Sequence, residues 1–455
     1  MRWRAMGEKL RSVGLDVGTT TTQMIVSELT VENRASGFAV PQLEIGERRV
    51  VYRGEVQFTP LASHDRIDGT ALRELVGTEY RRAGITRADV ETGAVIITGE
   101  TSRKENAATV LESLSDLAGE FVVATAGPDL ESVLAAKGAG AVDYSRQTGK
   151  RVLHFDIGGG TSNYCLIEDG KITQTGCLNV GGRLLKFDES GRITYVSPVL
   201  RKLCKLNAGD VPSSKQVEEV VEMLARGLEM AAGLREPTEL LGQLATQEAE
   251  NHGIATPVWE PSHNDSIVYS FSGGVADCIG KEHPALAFGD MGPVLGKAIR
   301  ESRLCRGEYR LGDETIRATV IGAGCHSAQL SGSTVFYRNV EFPMKNLPVV
   351  ADPAALARLD GPGVLALPGV ENPAYSQVAA LAEEVLTAVR SGPVIVALAA
   401  DMAKALGHCL ALRTGAERPI LCIDRVGLRE GDYLDVGAPV GPALPVVVKT
   451  LVLGR

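Results

Sequence analysis

Two short stretches of the chain carry the residue types that bind phosphate. VGLDVGTTTTQMIV at residues 13–26 and LHFDIGGGTSNYCL at residues 153–166 align without gaps at an offset of 140, so that Asp16 falls on Asp156 and Gly18 on Gly158. In each, an apolar run ends in an aspartate, a Gly/Thr-rich turn follows, and a second half-apolar run leads away, which is the pattern of a β-hairpin. A turn of this composition aims several backbone N–H groups and hydroxyls at one point, a geometry that holds phosphate oxygens. Gly18, Gly158, Gly159 and Gly160 admit close approach to the backbone, and Thr19, Thr20, Thr21 and Thr161 are the candidate hydroxyl donors. Each charge-assisted hydrogen bond of this kind contributes about 1.5–3 kcal/mol, so a few of them anchor a triphosphate.

An aspartate at the mouth of each turn would repel an anion unless a divalent cation lies between them. Asp16 and Asp156 are therefore expected to support Mg2+, through its waters, and to form the catalytic set with Thr161. On one hairpin alone the aspartate reads as an acceptor for turn N–H groups. Two hairpins in tandem, with a third Gly-Gly turn at Gly273 and Gly274, read as a cleft for ATP. The seven histidines (64, 154, 252, 263, 283, 326, 408) show no ligand spacing with carboxylates or cysteines and read as surface or satisfied core residues.

Other elements must position the hairpins. The span 37–92 holds FAVPQLEI, RRVVYRGEVQF and a helix over ALRELVGTEYRRAG, an elaboration of the first lobe. AVIIT (94–98) and FVVATAG (121–127) read as strands around a helix in KENAATVLESLSDLAG. PDLESVLAAKGAGAVDY opens on Pro128, suited to a first helical turn, and its small residues Ala135, Ala136, Gly138, Ala139 and Gly140 suit a helix that crosses closely between lobes. After the second hairpin, KITQTGCLNV reads as a third strand, GGRLLKFDE as a Gly-Gly entry to a helix or loop, and residues 215–250 as a peripheral helical subdomain. SIVYSFSGGVADCIG and TIRATVIGAGCHSAQLSG each read as a strand running into a Gly-rich turn. Beyond about residue 345, PVIVALAADMAKALG, PILCIDRVG and LPVVVKTLVL read as strands around one helix in a small α/β region.

Composition narrows the class. At 455 residues and 44% hydrophobic the chain buries several cores, and a net charge of −9 from 56 acidic and 47 basic residues, without single-sign blocks, excludes a nucleic-acid footprint. The eight cysteines are scattered, with no C-x-x-C pair, which fits free thiols in a reducing cytoplasm. The basic N-terminus lacks an apolar h-region, Met6 is an alternative start, and the most apolar stretch is broken by Asp401, Lys404 and His408, so neither a signal peptide nor membrane insertion is expected.

The order of parts resembles the actin/Hsp70/sugar-kinase ATPase superfamily: first phosphate hairpin GLDVGTTTT, connecting helix ESVLAAKGAGAVDY, second hairpin FDIGGGTS and adenosine turn FSGGVA. The resemblance implies an α/β, actin-like ATPase fold, with duplicated ribonuclease H-like lobes around a nucleotide cleft and a small C-terminal α/β region. The first lobe would span 1–143 with its insertion at 37–92, the second 144–344 with a helical subdomain at 211–250, and the C-terminal part 345–455. Gly273 and Gly274 would lie against adenine and ribose, with Gly322 and Gly324 either in the same wall or in tight strand-to-helix turns. Hsp70-like ATPases carry a Glu before the Pro of the connecting helix; here Gly127 precedes Pro128, which implies slow hydrolysis, with Asp129 or Glu131 left to compensate.

A closer resemblance covers nearly the whole length. VQFTPL, IITGETSRKENA, FVVATAGPDLESVLAAKGAGA, FDIGGGTSN, SFSGGVAD, GAGCHSAQLSGSTV and PVVVKTLV are similar to segments of the ethanolamine ammonia-lyase reactivating factor family. That implies a chaperone-like ATPase using ATP and Mg2+, with ethanolamine ammonia-lyase and its bound cobalamin as client, in the cytoplasm and in association with an ethanolamine-utilising microcompartment. No Asp-x-His-x-x-Gly pattern occurs, so tight cobalamin binding by this chain itself is not expected. A homo-oligomer stays open. The alternatives are a small-molecule kinase, with Glu100 of TGET as base or merely as a helix cap, and an actin-like scaffold.

Overall fold

The computed structural model describes residues 9–18, 21–33, 43–63, 66–90, 92–97, 114, 122–125, 128–246, 267–326, 328–330, 334–356, 358–359, 361–428, 430, 432–437, 439 and 444–450. Strands β1 (Lys9–Val17) and β2 (Thr21–Asn33) form the first hairpin, with Asp16 opposite Gln23. β3 (Leu43–Arg53) and β4 (Gln57–Phe58) pair antiparallel with β2, and a small hairpin, β5 (Leu61–Ser63) with β6 (Arg66–Ile67), follows. On the other side of β1, β7 (Thr92–Ile97) and β8 (Val122–Thr125) run parallel, giving the order β3-β2-β1-β7-β8.

The second sheet repeats this plan. β9 (Arg151–Ile157), β10 (Ser162–Glu168) and β11 (Lys171–Leu178) are antiparallel, β14 (Ile267–Ser272) and β15 (Tyr309–Leu311) continue parallel from β9, and the order is β11-β10-β9-β14-β15. The 140-residue offset survives in register, because Asp156 lies opposite Asn163 as Asp16 lies opposite Gln23. Duplicated lobes with the ribonuclease H-like strand order are thus present, as the actin-like reading requires. β9 is buried along nearly its whole length, and its continuous apolar run RVLHFDI is what a central strand covered on both faces demands. Between these strands lies a second small hairpin, β12 (Leu185–Phe187) with β13 (Ile193–Val196), so GGRLLKFDE enters a short strand through a loop.

Helix α1 (Gly69–Ala83) starts on Asp68, whose carboxylate accepts from Thr70 N and Ala71 N, and ends at Gly84 with φ 66°. Its Leu72, Val76 and Tyr80 join Val13, Leu15 and Met24 in the first core. α2 (Pro128–Gly138) packs on β9, β10 and β11 of the second sheet, and α3 (Ala141–Thr148) on β9 and β10. α4 (Pro198–Leu203), α5 (Ser214–Ala231), α6 (Glu239–Leu244), α7 (Gly274–Gly280) and α8 (Gly292–Glu301) cover the rest of that sheet's core. α5 is fixed by a Ser213/Gln216 capping box and buries Val217, Val220, Val221, Leu224 and Leu228 at helical spacing.

α9 (Ala318–His326) crosses back: it follows the second sheet in the chain yet packs on β1, β2 and β7 of the first. It also meets α2 through small residues, since a Cβ on Gly138 would come 1.9 Å from Ala318 O and one on Gly322 2.0 Å from Leu134 O. The small-residue run therefore marks a crossing helix. GAGCH is not a turn: Gly322 and Gly324 lie within α9, where α2 and β1 press on them. A Cβ on Gly324 would meet Gly14 N at 2.9 Å. Tertiary packing has overridden the low helix propensity of two glycines.

The third sheet has the order β16-β23-β22-β18-β19-β20-β21-β17. Its parallel core, β18 (Met344–Val350), β19 (Val364–Leu367), β20 (Val394–Leu398) and β21 (Ile420–Asp424), is flanked by β16 (Ala328–Leu330), β17 (Phe336–Arg338), β22 (Asp432–Val436) and β23 (Pro445–Thr450). α10 (Pro353–Leu356), α11 (Tyr375–Ala388) and α12 (Ala403–Arg413) connect the parallel strands, so this region holds more than the single helix read from its sequence. The helix expected over KENAATVLESLSDLAG lies outside the described residues except Leu114, which is buried. All eight cysteines are free thiols, six of them buried. Among the described residues no helix is long and apolar enough to cross a membrane.

Candidate functional site

The two aspartate hairpins close identically. Gly18 N–H donates to Thr21 O at 2.9 Å, and Gly158 N–H donates to Thr161 O at 2.9 Å. Each turn is gripped from the next element along the chain. Thr59 Oγ1 donates to Gly18 O at 2.7 Å and lies 3.0 Å from Thr22 Oγ1. In the second lobe Gly182 N–H and Arg183 N–H donate to Gly158 O and Gly159 O at 3.1 and 2.6 Å, and Ser162 Oγ donates to Val180 O at 2.7 Å. The N–H groups of Gly159 and Gly160 and the Thr161 hydroxyl make no hydrogen bond among the described residues, and a Cβ on Gly160 would meet nothing within 4 Å. Open donors on a fixed turn suit an anion. Thr21 is half-buried, whereas Thr19, Thr20 and Glu100 lie outside the described residues.

Asp16 ends β1 half-buried; Asp156 ends β9 and is 9% exposed. Asp156 accepts from Ser272 Oγ, which the parallel β9–β14 register sets beside it, and from Thr319 Oγ1 of α9 at 3.5 Å. Burial pushes the Asp156 carboxyl up to about 6, although the Ser272 and Thr319 hydroxyls pull it down. In the first lobe the place of Ser272 is taken by Ile96. Behind Ser272, His154 Nε2 lies 3.0 Å from its Oγ and Nδ1 lies 3.1 Å from Ser270 Oγ. Because Ser272 spends its one proton on Asp156, it accepts from His154 Nε2–H, and Nδ1 then accepts from Ser270. Burial holds His154 down at about 3, so the ring is neutral, a satisfied core histidine.

Other polar groups converge here. Asn163, opposite Asp156, donates through Nδ2 to the buried carboxylate of Glu131 on α2. Glu131, one of the two carboxylates considered as a substitute for the missing glutamate before Pro128, thus lies beside the second hairpin; nothing is described of the Asp129 side chain. Gln23, opposite Asp16, donates to Ile316 O at 3.1 Å. Arg183 Nε donates to Asp290 Oδ2 at 3.2 Å. Of the third turn, Gly273 has φ 86°, and a Cβ there would come 2.3 Å from Ile157 O, so its freedom serves packing against the end of β9. Gly274 is exposed with open space at its Cβ position. Among the described residues no group of three or more His, Cys, Asp or Glu side chains is placed to hold a metal ion, so a cation here would rest on carboxylates and water.

Sequence reasoning missed Ser272, Thr319, Thr59, Arg183 and Asp290. Only Arg183 had a local signal, since it follows Gly181 and Gly182, another Gly-Gly pair; the others reach the site through strand register and helix crossing.

The family model for the ethanolamine utilisation protein EutA matches residues 8–454. The chain is 38% identical to the ethanolamine ammonia-lyase reactivase EutA of Salmonella typhimurium (strain LT2) over 97% of its own length and 98% of that protein's. It is 38% identical to the protein of the same description from Escherichia coli (strain K12), with the same two coverages. Among solved structures, the Aquifex aeolicus member of the Ppx/GppA family aligns with 69% of this chain and 97% of its own, at 15% identity and a TM-score of 0.42. With its length matched almost end to end by one family model and by curated relatives, the chain belongs to the ethanolamine utilisation protein EutA family.

Proposed function

We propose that this chain is a reactivating factor that uses ATP to release damaged cobalamin from ethanolamine ammonia-lyase, so that adenosylcobalamin replaces it and ethanolamine catabolism continues. The observation that carries the reading is the 38% identity, over 97% of the chain, to two proteins named for that activity. In this reading residues 1–143, with the insertion at 37–92, and 144–344, with the helices of 211–250, are the two lobes, and 345–455 form the C-terminal part. In this reading the protein works in the cytoplasm.

The hairpins are the proposed ATP site. The open N–H groups of Gly159 and Gly160 and the hydroxyl of Thr161 bind phosphate oxygens, joined from the first lobe by Gly18, Thr19, Thr20 and Thr21. Asp16 and Asp156 support Mg2+ through water. The buried, polar setting of Asp156 suits that role, because Ser272 and Thr319 fix the carboxylate and a nearby cation would offset its burial. When bound, Mg2+ supplies charge neutralisation on the phosphates. Gly274 leaves room for the nucleoside beside β14. Hydrolysis is slow and its value is conformational: lobes that close differently on ATP and ADP present different surfaces, and the lyase must bias nucleotide affinity in return.

The test is a lyase loaded with a cobalamin that lacks its adenosyl group. Given this protein, Mg-ATP and adenosylcobalamin, activity should return and free damaged cobalamin should appear in the filtrate. Equal recovery without ATP would leave a passive binder. Rapid phosphorylation of a sugar, acid or alcohol in place of phosphate release to water would make the chain a kinase.

A further inference from the structure

Arg183 leaves the Gly181–Gly182 pair directly against the second hairpin turn. Its backbone N–H donates to Gly159 O at 2.6 Å. Its aliphatic stem lies on the face of Gly159, where a Cβ would sit 3.2 Å from the arginine Cδ and 3.4 Å from its Cβ and Cγ. A Cβ at 159 would crowd the arginine stem, which would have to give by a few tenths of an ångström. At the far end, Nε donates to Asp290 Oδ2 at 3.2 Å, and Asp290 is itself held by Gly292 N–H on Oδ1 at 2.8 Å.

The ion pair is incomplete as a structural device. An arginine that serves only to neutralise a carboxylate does best with two parallel N–H···O bonds. Here one Nε–H makes the contact, and the Nη groups make no hydrogen bond among the described residues, while 30% of the side chain stays exposed. Four of the five guanidinium donors are thus left over on a side chain whose stem and backbone are both fastened to the phosphate turn. The turn itself supplies only neutral donors, Gly159, Gly160 and Thr161, and the carboxylates of Asp16 and Asp156 add negative charge. A polyphosphate bound there calls for a fixed cation on the protein.

We infer that Arg183 is the cationic arm of the second phosphate turn: its Nη edge pairs with a phosphate of the bound nucleotide, and Asp290 aims it through Nε. This rests on the nucleotide reading above. Arg183 contacts the ligand directly; Asp290 is a positioning residue. Planarity matters, since two parallel donors match two phosphate oxygens in a way that a lysine ammonium does not.

The experiment is calorimetric titration of the full-length chain with Mg-ATP and Mg-ADP, for the parent, Arg183→Gln, Arg183→Lys and Asp290→Asn, with a thermal unfolding curve of each variant without nucleotide. Arg183→Gln should lose about 10- to 100-fold in affinity for both nucleotides while unfolding near the parent temperature. Arg183→Lys should recover part of that loss, and Asp290→Asn should lose less than Arg183→Gln because the charge stays but is no longer aimed. Parent-like binding by Arg183→Gln would overturn the inference and leave the nucleotide site standing. So would a loss that Arg183→Lys does not relieve and that comes with a lowered unfolding temperature, which would make Arg183 a support of the fold. A parent that binds neither nucleotide would remove the ATP reading, and this inference with it.

Discussion

Ser272 Oγ–H donates a hydrogen bond to the carboxylate of Asp156 from the adjacent parallel strand, and both residues are buried. The neutral hydroxyls of Ser272 and Thr319 do not offset the cost of enclosing a charge, which is why the Asp156 carboxyl stays up at about 6. The strand pairing thus places a buried carboxylate in the site that is costly to ionise.

The pH dependence follows from the sign of that shift. The native state holds the Asp156 proton more tightly than the unfolded chain, whose carboxyl has the ordinary value of 3.8. The contribution is fully present below the unfolded value and is lost as pH rises through about 6. In the absence of Mg2+, Asp156→Asn keeps an acceptor for Ser272 and carries no charge. It should unfold at a higher temperature than the parent at about pH 7.5, with the gap closing below about pH 4. Equal unfolding temperatures at the higher pH would show that the carboxylate is not strained by burial.

Replacing either aspartate by alanine removes a proposed support for Mg2+ and leaves the backbone donors in place. Asp16→Ala and Asp156→Ala should each slow Mg-ATP hydrolysis by about 10-fold or more while nucleotide binding persists. Parent-like turnover in both variants, measured by phosphate release, would move the catalytic centre elsewhere.

Thr59 couples the insertion to the first turn through Gly18 O and Thr22. Thr59→Val keeps the shape and removes the hydroxyl, and should cost about 1 kcal/mol in urea unfolding together with weaker ATP binding. Unchanged nucleotide affinity would mean that β2 alone sets the geometry of the turn.

The helix crossing gives a stability test. A Cβ on Gly138 or Gly322 would fall within 2.0 Å of a backbone oxygen, so alanine at either position forces the two helices apart. Each variant should lose about 1–3 kcal/mol. The same change at Gly242 in α6, where a Cβ meets nothing within 4 Å, should instead be neutral or stabilise by up to about 1 kcal/mol. Chemical denaturation of all three separates crowding from a general effect of glycine replacement.

Much of this is legible in the sequence. The hairpins announce themselves because their glycines, threonines and aspartate are contiguous along the chain, and the 140-residue offset exposes the duplication. The crossing helix at 128–138 is readable from its small residues. Its partner is not: Gly322 and Gly324 carry the local signature of a turn, and only the presence of α2 on one side and β1 on the other makes a helix there favourable. Ser272 is invisible for a different reason, since nothing in SFSGG states that β14 will pair with β9 in the register that sets Ser272 beside Asp156. Arg183 has a local signal in the preceding Gly-Gly pair, but its contact with Gly159 depends on a loop folding back on a turn well before it in the chain.

The contact between α2 and α9 is made where each helix shows backbone to the other. At Gly138 and Gly322 the obstacle to an added carbon is a main-chain oxygen of the facing helix. A side chain that outgrows its pocket can be relieved by a smaller one opposite, but no amino-acid exchange makes a peptide group smaller. Compensating pairs therefore cannot arise across these positions. A comparison of correlated substitutions among relatives would find its weakest signal where α2 and α9 meet.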